Sequence, residues 1–165
     1  MKDRTPDAKL VQLFKRSPMR FREYLLVDGP RGMVLPFKDV MAPVQRQDFT
    51  AMDPALAWTA GAKRVVEGKL ENYPIPDIIR FYIQRSRGYS KTSDLAMSVL
   101  WLLAFANKPL DGIVVADDKE QAALLIGQAA KICEYNPWLF AYVDISDTHN
   151  KIINRSNRAS IKSMS

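Results

Sequence analysis

The sequence predicts an α/β fold with a parallel central sheet, preceded by a helical N-terminal region. Residues 78–134 alternate between stretches of strand composition and stretches of helix composition, and two such crossovers imply a parallel sheet. The residues before Pro74 and Pro76 instead show the spacing of short helices interrupted by prolines. With 165 residues, of which 47% are hydrophobic, the chain can bury a substantial core. We therefore divide it into a helical region, residues 1–77, and an α/β core, residues 78–165.

The helical region is predicted from the spacing of its apolar side chains. Leu10 and Phe14 belong to a first short helix, and residues 19–27 form a second with one apolar face. Residues 28–32 contain two glycines and a proline, which predicts a turn, and we assign that turn a structural role. An irregular helical pattern continues through residues 49–58.

The core is predicted element by element from composition and periodicity. Its elements are a strand at 78–84, a helix at 93–106, a strand at 112–116, a helix at 118–134, a strand at 140–145 and a hairpin with strands at 151–154 and 159–164. The helix at 93–106 is apolar almost all round, so we expect it to be buried between the sheet and the N-terminal helices. The strand at 112–116 contains a short unbroken apolar run, as expected of a central parallel strand.

Charge and cysteine content narrow the functional classes. The 24 lysines and arginines exceed the 18 acidic residues and give a net charge of +6, which favours a polyanionic partner such as a nucleotide or nucleic acid. One cysteine, Cys133, and one histidine, His149, exclude an internal disulfide and a zinc site of Cys/His type. Cys133 lies in a helical pattern and is expected to be buried, whereas His149 is expected in a solvated loop.

The longest apolar run, residues 99–106, is too short to span a bilayer, so a cytosolic protein is expected.

Residues 85–92, with the sequence RSRGYSKT, have the features of a phosphate-binding loop between a strand and a helix. The usual pattern is Gly, four residues, and Gly-Lys-Ser/Thr. Its Lys91-Thr92 ending is intact here, while Arg85 and Ser90 stand at the two glycine positions. Backbone N–H groups at the start of a helix bind anions, so the loop is predicted to hold phosphates. The competing interpretation is an ordinary strand-to-helix turn whose basic side chains, including Arg85, face solvent.

The residues predicted to surround the nucleotide phosphates are Ser86, Gly88, Tyr89, Ser90, Lys91 and Thr92. Lys91 is expected to reach the outer phosphates and Thr92 to ligate Mg²⁺, because these are the tasks of the lysine and the hydroxyl in such loops. Two downstream acids could imitate a second magnesium ligand. Asp117 and Asp118 follow an apolar strand, but Asp118 with Gln121 fits a helix cap. Asp144 is expected only to close a strand.

The loop resembles that of the large terminase subunits of phages, the ATPases that drive DNA packaging. The resemblance lies in Arg87, four residues before Lys91, and in the small residue Ser90 at the last glycine position. Residues 43–49 resemble the segment of that family in which a glutamine, here Gln45, lies close to adenine. Val44 departs from the family, where an aromatic residue is usual.

A further stretch, residues 114–123, resembles the strand and helix that precede the acidic Walker B strand in terminases, and the resemblance extends over about residues 43–165. It implies a P-loop NTPase three-layer fold, incomplete at the C-terminus, with ATP and Mg²⁺ as cofactors. It also implies that Arg87 senses or stabilises the transferring phosphate, beside Lys91 in the catalytic site.

The same resemblance implies partners and a location. These are double-stranded DNA, a small terminase subunit, a portal protein and a homo-oligomeric ring, in the host cytoplasm and not in a membrane or the virion. The whole protein would also be a nuclease, whereas this chain lacks a clear Walker B and is expected to be catalytically incomplete. Two alternatives remain open: another P-loop ATPase such as a helicase-like translocase, or a basic α/β module that binds DNA or protein without nucleotide chemistry.

Overall fold

A computed structural model describes residues 4–86, 88, 90–116, 119–146 and 150–164, and within them the chain is mixed α/β. The helices are α1 Ala8–Arg16, α2 Pro18–Tyr24, α3 Phe37–Val40, α4 Pro43–Thr59, α5 Lys91–Phe105 and α6 Lys119–Tyr135, with 3-10 turns at Pro30–Gly32 and Pro137–Ala141. The strands are β1 Leu26–Asp28, β2 Val34–Pro36, β3 Lys63–Val66, β4 Lys69–Asn72, β5 Asp111–Val115, β6 Val143–Ser146, β7 Lys151–Asn154 and β8 Ser160–Met164.

The largest sheet has four strands in the order β5-β8-β7-β6. Only β5 and β8 are parallel in it, and β8-β7 and β7-β6 are antiparallel, so the prediction of a parallel central sheet was wrong. The antiparallel pairs follow from connection length, since four residues join β6 to β7 and five join β7 to β8, and connections this short permit only antiparallel neighbours. The strand at 78–84, on which one of the two predicted parallel crossovers depended, is not formed. The hairpin predicted at the C-terminal end is confirmed.

One face of this sheet packs on helices and the other is open. Gly112, Ile161 and Ile152 form a row across β5, β8 and β7 on the packed face. A Cβ on Gly112 would lie 2.6 Å from Cγ1 of Ile161, so this position requires glycine for close approach of the strands. On the opposite face Ile113 and Val115 are 58% and 74% exposed. Among the described residues the sheet is therefore covered on one side.

The strand predicted at residues 78–84 is not formed. These residues have no regular secondary structure, and Ile78, Ile79 and Tyr82 are 61%, 59% and 88% exposed. The residue types that are common in strands are those whose side chains pack well against neighbouring strands. No described strand pairs with this segment, so its side chains have no neighbouring strand to pack against.

Helix α5 is the centre of the hydrophobic core, as predicted from a sequence that is apolar almost all round. Trp101 and Leu103 are fully buried, and the Trp101 indole Nε1 donates to the carbonyl oxygen of Phe14 in α1 at 2.7 Å. A continuous cluster of buried apolar side chains runs from Phe14 in α1 to Ile161 in β8. The helix thus joins the N-terminal helices to the sheet and fixes where its own first turn lies.

Cys133 is completely buried in α6, as expected. Burial raises the pKa of its thiol to about 12. In the described part of the chain, no helix combines the length and the apolar character needed to cross a bilayer.

Candidate functional site

The predicted phosphate loop leads directly into α5, and its backbone turns through left-handed conformations. Gly88 has a φ of 88°, and Ser90, the residue before the helix, has a φ of 51°. The Asp94 N–H donates to the Ser90 carbonyl at 3.0 Å as the first bond of the helix. The N–H groups of Lys91, Thr92 and Ser93 precede that bond and have no acceptor within the helix. Such donors, with the positive end of the helix dipole, favour an anion at this point.

The positive φ of Ser90 explains why glycine is usual at its position in phosphate loops. An L-residue in the left-handed region loses about 1–2 kcal/mol relative to the right-handed region, and glycine loses almost nothing. Ser90 adopts the loop conformation in spite of this cost. The serine substitution in the motif therefore does not remove the backbone turn that precedes the helix.

Lys91 closes the loop on itself. Its Nζ donates to the carbonyl oxygen of Arg85 at 2.6 Å and to that of Ser86 at 3.0 Å, while its side chain stays exposed. The amine therefore links the beginning of the loop to the start of α5. A phosphate that binds at the helix N-terminus would exchange these two neutral acceptors for a charged one, which is a stronger partner for an ammonium group.

Arg85 does not face solvent, so the position that the competing interpretation of the loop gives it is wrong. Its side chain is 6% exposed, and Nη1 donates to Asp94 Oδ2 at 2.6 Å. Its Nε donates to Asp48 Oδ2 at 3.0 Å, and its Nη2 contacts the same oxygen. Arginine makes such forked bonds to carboxylates because its donors are planar and permanently charged. Asp48 in α4 and Asp94 in α5 thus hold the beginning of the loop from both sides.

Gln45 belongs to the same network. Its Oε1 accepts from the Ala42 N–H at 2.8 Å, and its Nε2 donates to Asp94 Oδ1 at 2.6 Å. Burial raises the pKa of Asp94, while the hydrogen bonds from Arg85 and Gln45 act in the opposite direction. The predicted adenine-side glutamine is therefore 7% exposed and held at both ends of its amide.

A cavity of about 450 Å³ lies beside this network. It extends from the start of α5 to the turn after β1, and its polar lining includes Asp28, Gln45, Ser90, Ser93, Gln128 and Lys131. The volume lies within the range of 300–1,000 Å³ typical of small-molecule sites. Gln45 and Ser90, predicted from separate segments of the sequence, meet at this cavity.

The far end of the cavity is built from residues that the sequence analysis did not select. Lys131 Nζ lies 2.6 Å from Asp28 Oδ2, and the Tyr135 hydroxyl donates to Asp28 Oδ1 at 2.7 Å. These hydrogen bonds lower the pKa of Asp28. The sequence predicts only a structural turn at Asp28. The available signal was the spacing of Gln128, Lys131 and Tyr135, which places them on one face of α6.

The remaining residues considered in the sequence fall into two groups. Arg87 and Tyr89, like Asp117, Asp118 and His149, lie outside the described residues. Asp144 is the second residue of the edge strand β6, and its exposed carboxylate lies 3.5 Å from Arg155 Nη2. Asp144 therefore lies inside the strand and does not close it, so that expectation was wrong, and its contact with Arg155 is a structural one.

The described residues fit Mg²⁺ only through one side chain. Thr92 is the second residue of α5, and its hydroxyl oxygen is of the kind that Mg²⁺ accepts. The nearby carboxylates of Asp48 and Asp94 are paired with Arg85. No group of three or more His, Cys, Asp or Glu in the described ranges is placed to hold a metal ion. A magnesium ion here would therefore depend on phosphate oxygens and water for its other ligands.

Comparison with models of known families, with curated proteins and with solved structures found no match. A functional assignment for this chain accordingly depends on the loop, the cavity beside it and the motifs of the sequence.

Proposed function

We propose that this chain binds ATP at the N-terminal end of α5, as the nucleotide-binding part of a DNA-packaging motor of the phage large terminase type. The observation that carries the proposal is the 450 Å³ cavity, which reaches the first turn of α5 at Ser90 and Ser93. A nucleotide needs an anion site joined to a space for its nucleoside. The start of α5 supplies the first, and the cavity supplies the second.

The loop residues take distinct parts in this proposal. The N–H groups at the start of α5 and the turn through Gly88 and Ser90 would bind phosphate oxygens. Lys91 would release the Arg85 and Ser86 carbonyls and pair with the outer phosphates, and Thr92 would be the protein ligand of Mg²⁺. Arg87, by its position in the motif, would contact the transferring phosphate.

Arg85 would hold the beginning of the loop in place. Its ion pairs with Asp48 and Asp94 fix the point where the loop begins, and its own carbonyl is one of the two that hold Lys91. In phosphoryl transfer the protein contributes mainly positioning and electrostatic stabilisation, so a loop held in place before the ligand arrives is an advantage.

Partners and location follow from the same proposal. The net charge of +6 suits double-stranded DNA, which attracts basic proteins through its phosphates. A small terminase subunit, a portal protein and a homo-oligomeric ring would be the protein partners, in the cytoplasm of the host cell. The activity proposed for the whole motor is ATP hydrolysis coupled to movement of duplex DNA into a procapsid.

Thermal unfolding with and without nucleotide tests the proposal. ATP with Mg²⁺ at one hundred times its dissociation constant should stabilise the chain by about 2.7 kcal/mol, because the ligand binds only the folded state. Adenosine at the same concentration, which lacks phosphates, serves as the control and should protect far less. A basic module that binds DNA or protein without nucleotide would show no protection by ATP, and that result would reject the proposal.

A further inference from the structure

The cavity has two chemically different ends, separated along α6. Ser93 Oγ, in the first turn of α5, donates to Gln128 Oε1 at 3.1 Å, so Gln128 marks the end nearest the phosphate loop. Tyr135 lies seven residues further along α6, about 10 Å away at 1.5 Å per residue, and contacts Asp28. This separation is comparable with the long axis of a nucleoside. A nucleotide with its phosphates at α5 would therefore direct the outermost edge of its base towards Asp28.

The Asp28 carboxylate is fixed at that end in one orientation. Lys131 Nζ binds Oδ2 at 2.6 Å and the Tyr135 hydroxyl donates to Oδ1 at 2.7 Å. An ionised carboxylate is only an acceptor, and each of its oxygens can receive more than one hydrogen bond. The group presented to a base is therefore a held acceptor that carries negative charge.

Gln45, the residue predicted to lie close to adenine, also lines the cavity, but its amide is already engaged. The Ala42 N–H and the Asp94 carboxylate bind its two ends at 2.8 and 2.6 Å. Turning the amide over would place its oxygen against the Asp94 carboxylate and its NH₂ against the Ala42 N–H. Gln45 is thus committed to the network that holds Arg85 and Asp94.

We propose that Asp28 is the base-reading residue of this cavity and that it selects adenine by accepting a hydrogen bond from the 6-amino group. In the same orientation, a 6-oxo purine such as hypoxanthine or guanine would place O6 against the carboxylate, leaving two acceptors opposed, and its N1–H could reach the carboxylate only if the base shifted. The inference rests on the proposed function, since phosphates at the start of α5 orient the base. Base recognition is thereby assigned to Asp28, the last residue of β1, and not to Gln45.

The experiment measures the dissociation constants of ATP and inosine triphosphate, which differ at position 6 of the base, by titration calorimetry. The parent chain should bind ATP at least about tenfold more tightly, as expected for one hydrogen bond to a charged group. Asp28→Asn should reduce this ratio to within about threefold, because an amide can present either a donor or an acceptor. Gln45→Ala should keep the parent ratio.

Asp144→Asn is the matched control, since Asp144 is another exposed carboxylate paired with a basic side chain, Arg155. It should also keep the parent ratio. Circular dichroism checks that each variant is folded, and Asp28→Ala provides a second removal of the carboxylate. An unchanged ratio in both folded Asp28 variants overturns the inference while nucleotide binding stands. A parent chain that binds neither nucleotide overturns the proposed function and this inference with it.

Discussion

Arg85 Nη1 and Asp94 Oδ2 lie 2.6 Å apart, and their side chains are only 6% and 7% exposed. The pair ties the beginning of the phosphate loop to the first turn of α5. Asp48 of α4 binds the same guanidinium, so one arginine connects the loop to two helices. A buried ion pair is a weak source of net stability, but removing one partner leaves an uncompensated charge.

Arg85→Met should destabilise the chain by about 3–5 kcal/mol at neutral pH, because Asp94 would be left buried with its charge unpaired. Urea unfolding followed by circular dichroism measures the change. Arg155→Met is the control: it removes an exposed arginine 3.5 Å from Asp144 and should cost less than about 1 kcal/mol. Similar losses in the two variants would contradict the role given to Arg85.

The cost of Arg85→Met should shrink as the pH falls. Burial already raises the pKa of Asp94 above 3.8, and loss of Arg85 removes the hydrogen bond and charge that oppose this. An acid whose folded-state pKa is raised contributes stability below its unfolded pKa, and that contribution is lost as the pH rises through the folded pKa. Unfolding free energies of parent and variant should therefore converge between neutral pH and about pH 4. A difference independent of pH would exclude Asp94 as the cause.

Lys91→Ala should abolish stabilisation by ATP with Mg²⁺ and leave the fold intact. The side chain is exposed and bonds only to loop carbonyls among its described contacts, so its removal deletes no core packing. Thermal unfolding with and without nucleotide gives the result. Lys108→Ala removes an exposed lysine from the segment between α5 and β5 and should retain full protection. Equal protection of the Lys91→Ala variant and the parent would reject the phosphate-loop assignment.

Ser90→Gly should raise the unfolding free energy by roughly 0.5–1 kcal/mol. Relief of the left-handed backbone at φ 51° outweighs the extra entropy that glycine has in the unfolded chain. Ser93→Gly, three residues later inside α5, is the opposite case and should destabilise by about 0.5 kcal/mol through helix propensity and by about 1 kcal/mol more through loss of the hydrogen bond to Gln128 Oε1. Urea midpoints of the two variants should move in opposite directions, and a loss of stability in Ser90→Gly would argue against the left-handed turn.

Cys133 should not react with a thiol reagent such as DTNB at pH 8 until the protein unfolds. Burial raises the thiol pKa from 9.0 to about 12, so almost no reactive thiolate forms in the folded state. The same shift contributes stability that is present below the unfolded pKa and is lost as the pH rises from about 9 towards 12. The measurement is the rate of colour development in buffer and in 8 M urea. Rapid labelling in buffer would show that α6 opens readily.

The sequence alone determined the elements that depend on neighbours along the chain. The apolar composition of residues 93–106 predicted a buried helix, which is α5, and the polar turn at residues 155–158 predicted the antiparallel hairpin of β7 and β8. Lys91-Thr92 stood out for the same reason, because a phosphate loop is a contiguous motif in which spacing carries the chemistry. Burial of Cys133 followed from its place in a helical pattern.

Only the tertiary structure decided what depends on residues far apart. Residues 78–84 have strand composition, yet a strand exists only where another strand pairs with it, and composition does not show whether one does. Arg85 was expected in solvent because nothing nearby in sequence shows that Asp48, 37 residues earlier, reaches its guanidinium. Asp28 and Tyr135 meet across 107 residues at the end of the cavity. Packing of α5 and α6 brings such pairs together, and that packing is a property of the whole core, not of any local segment.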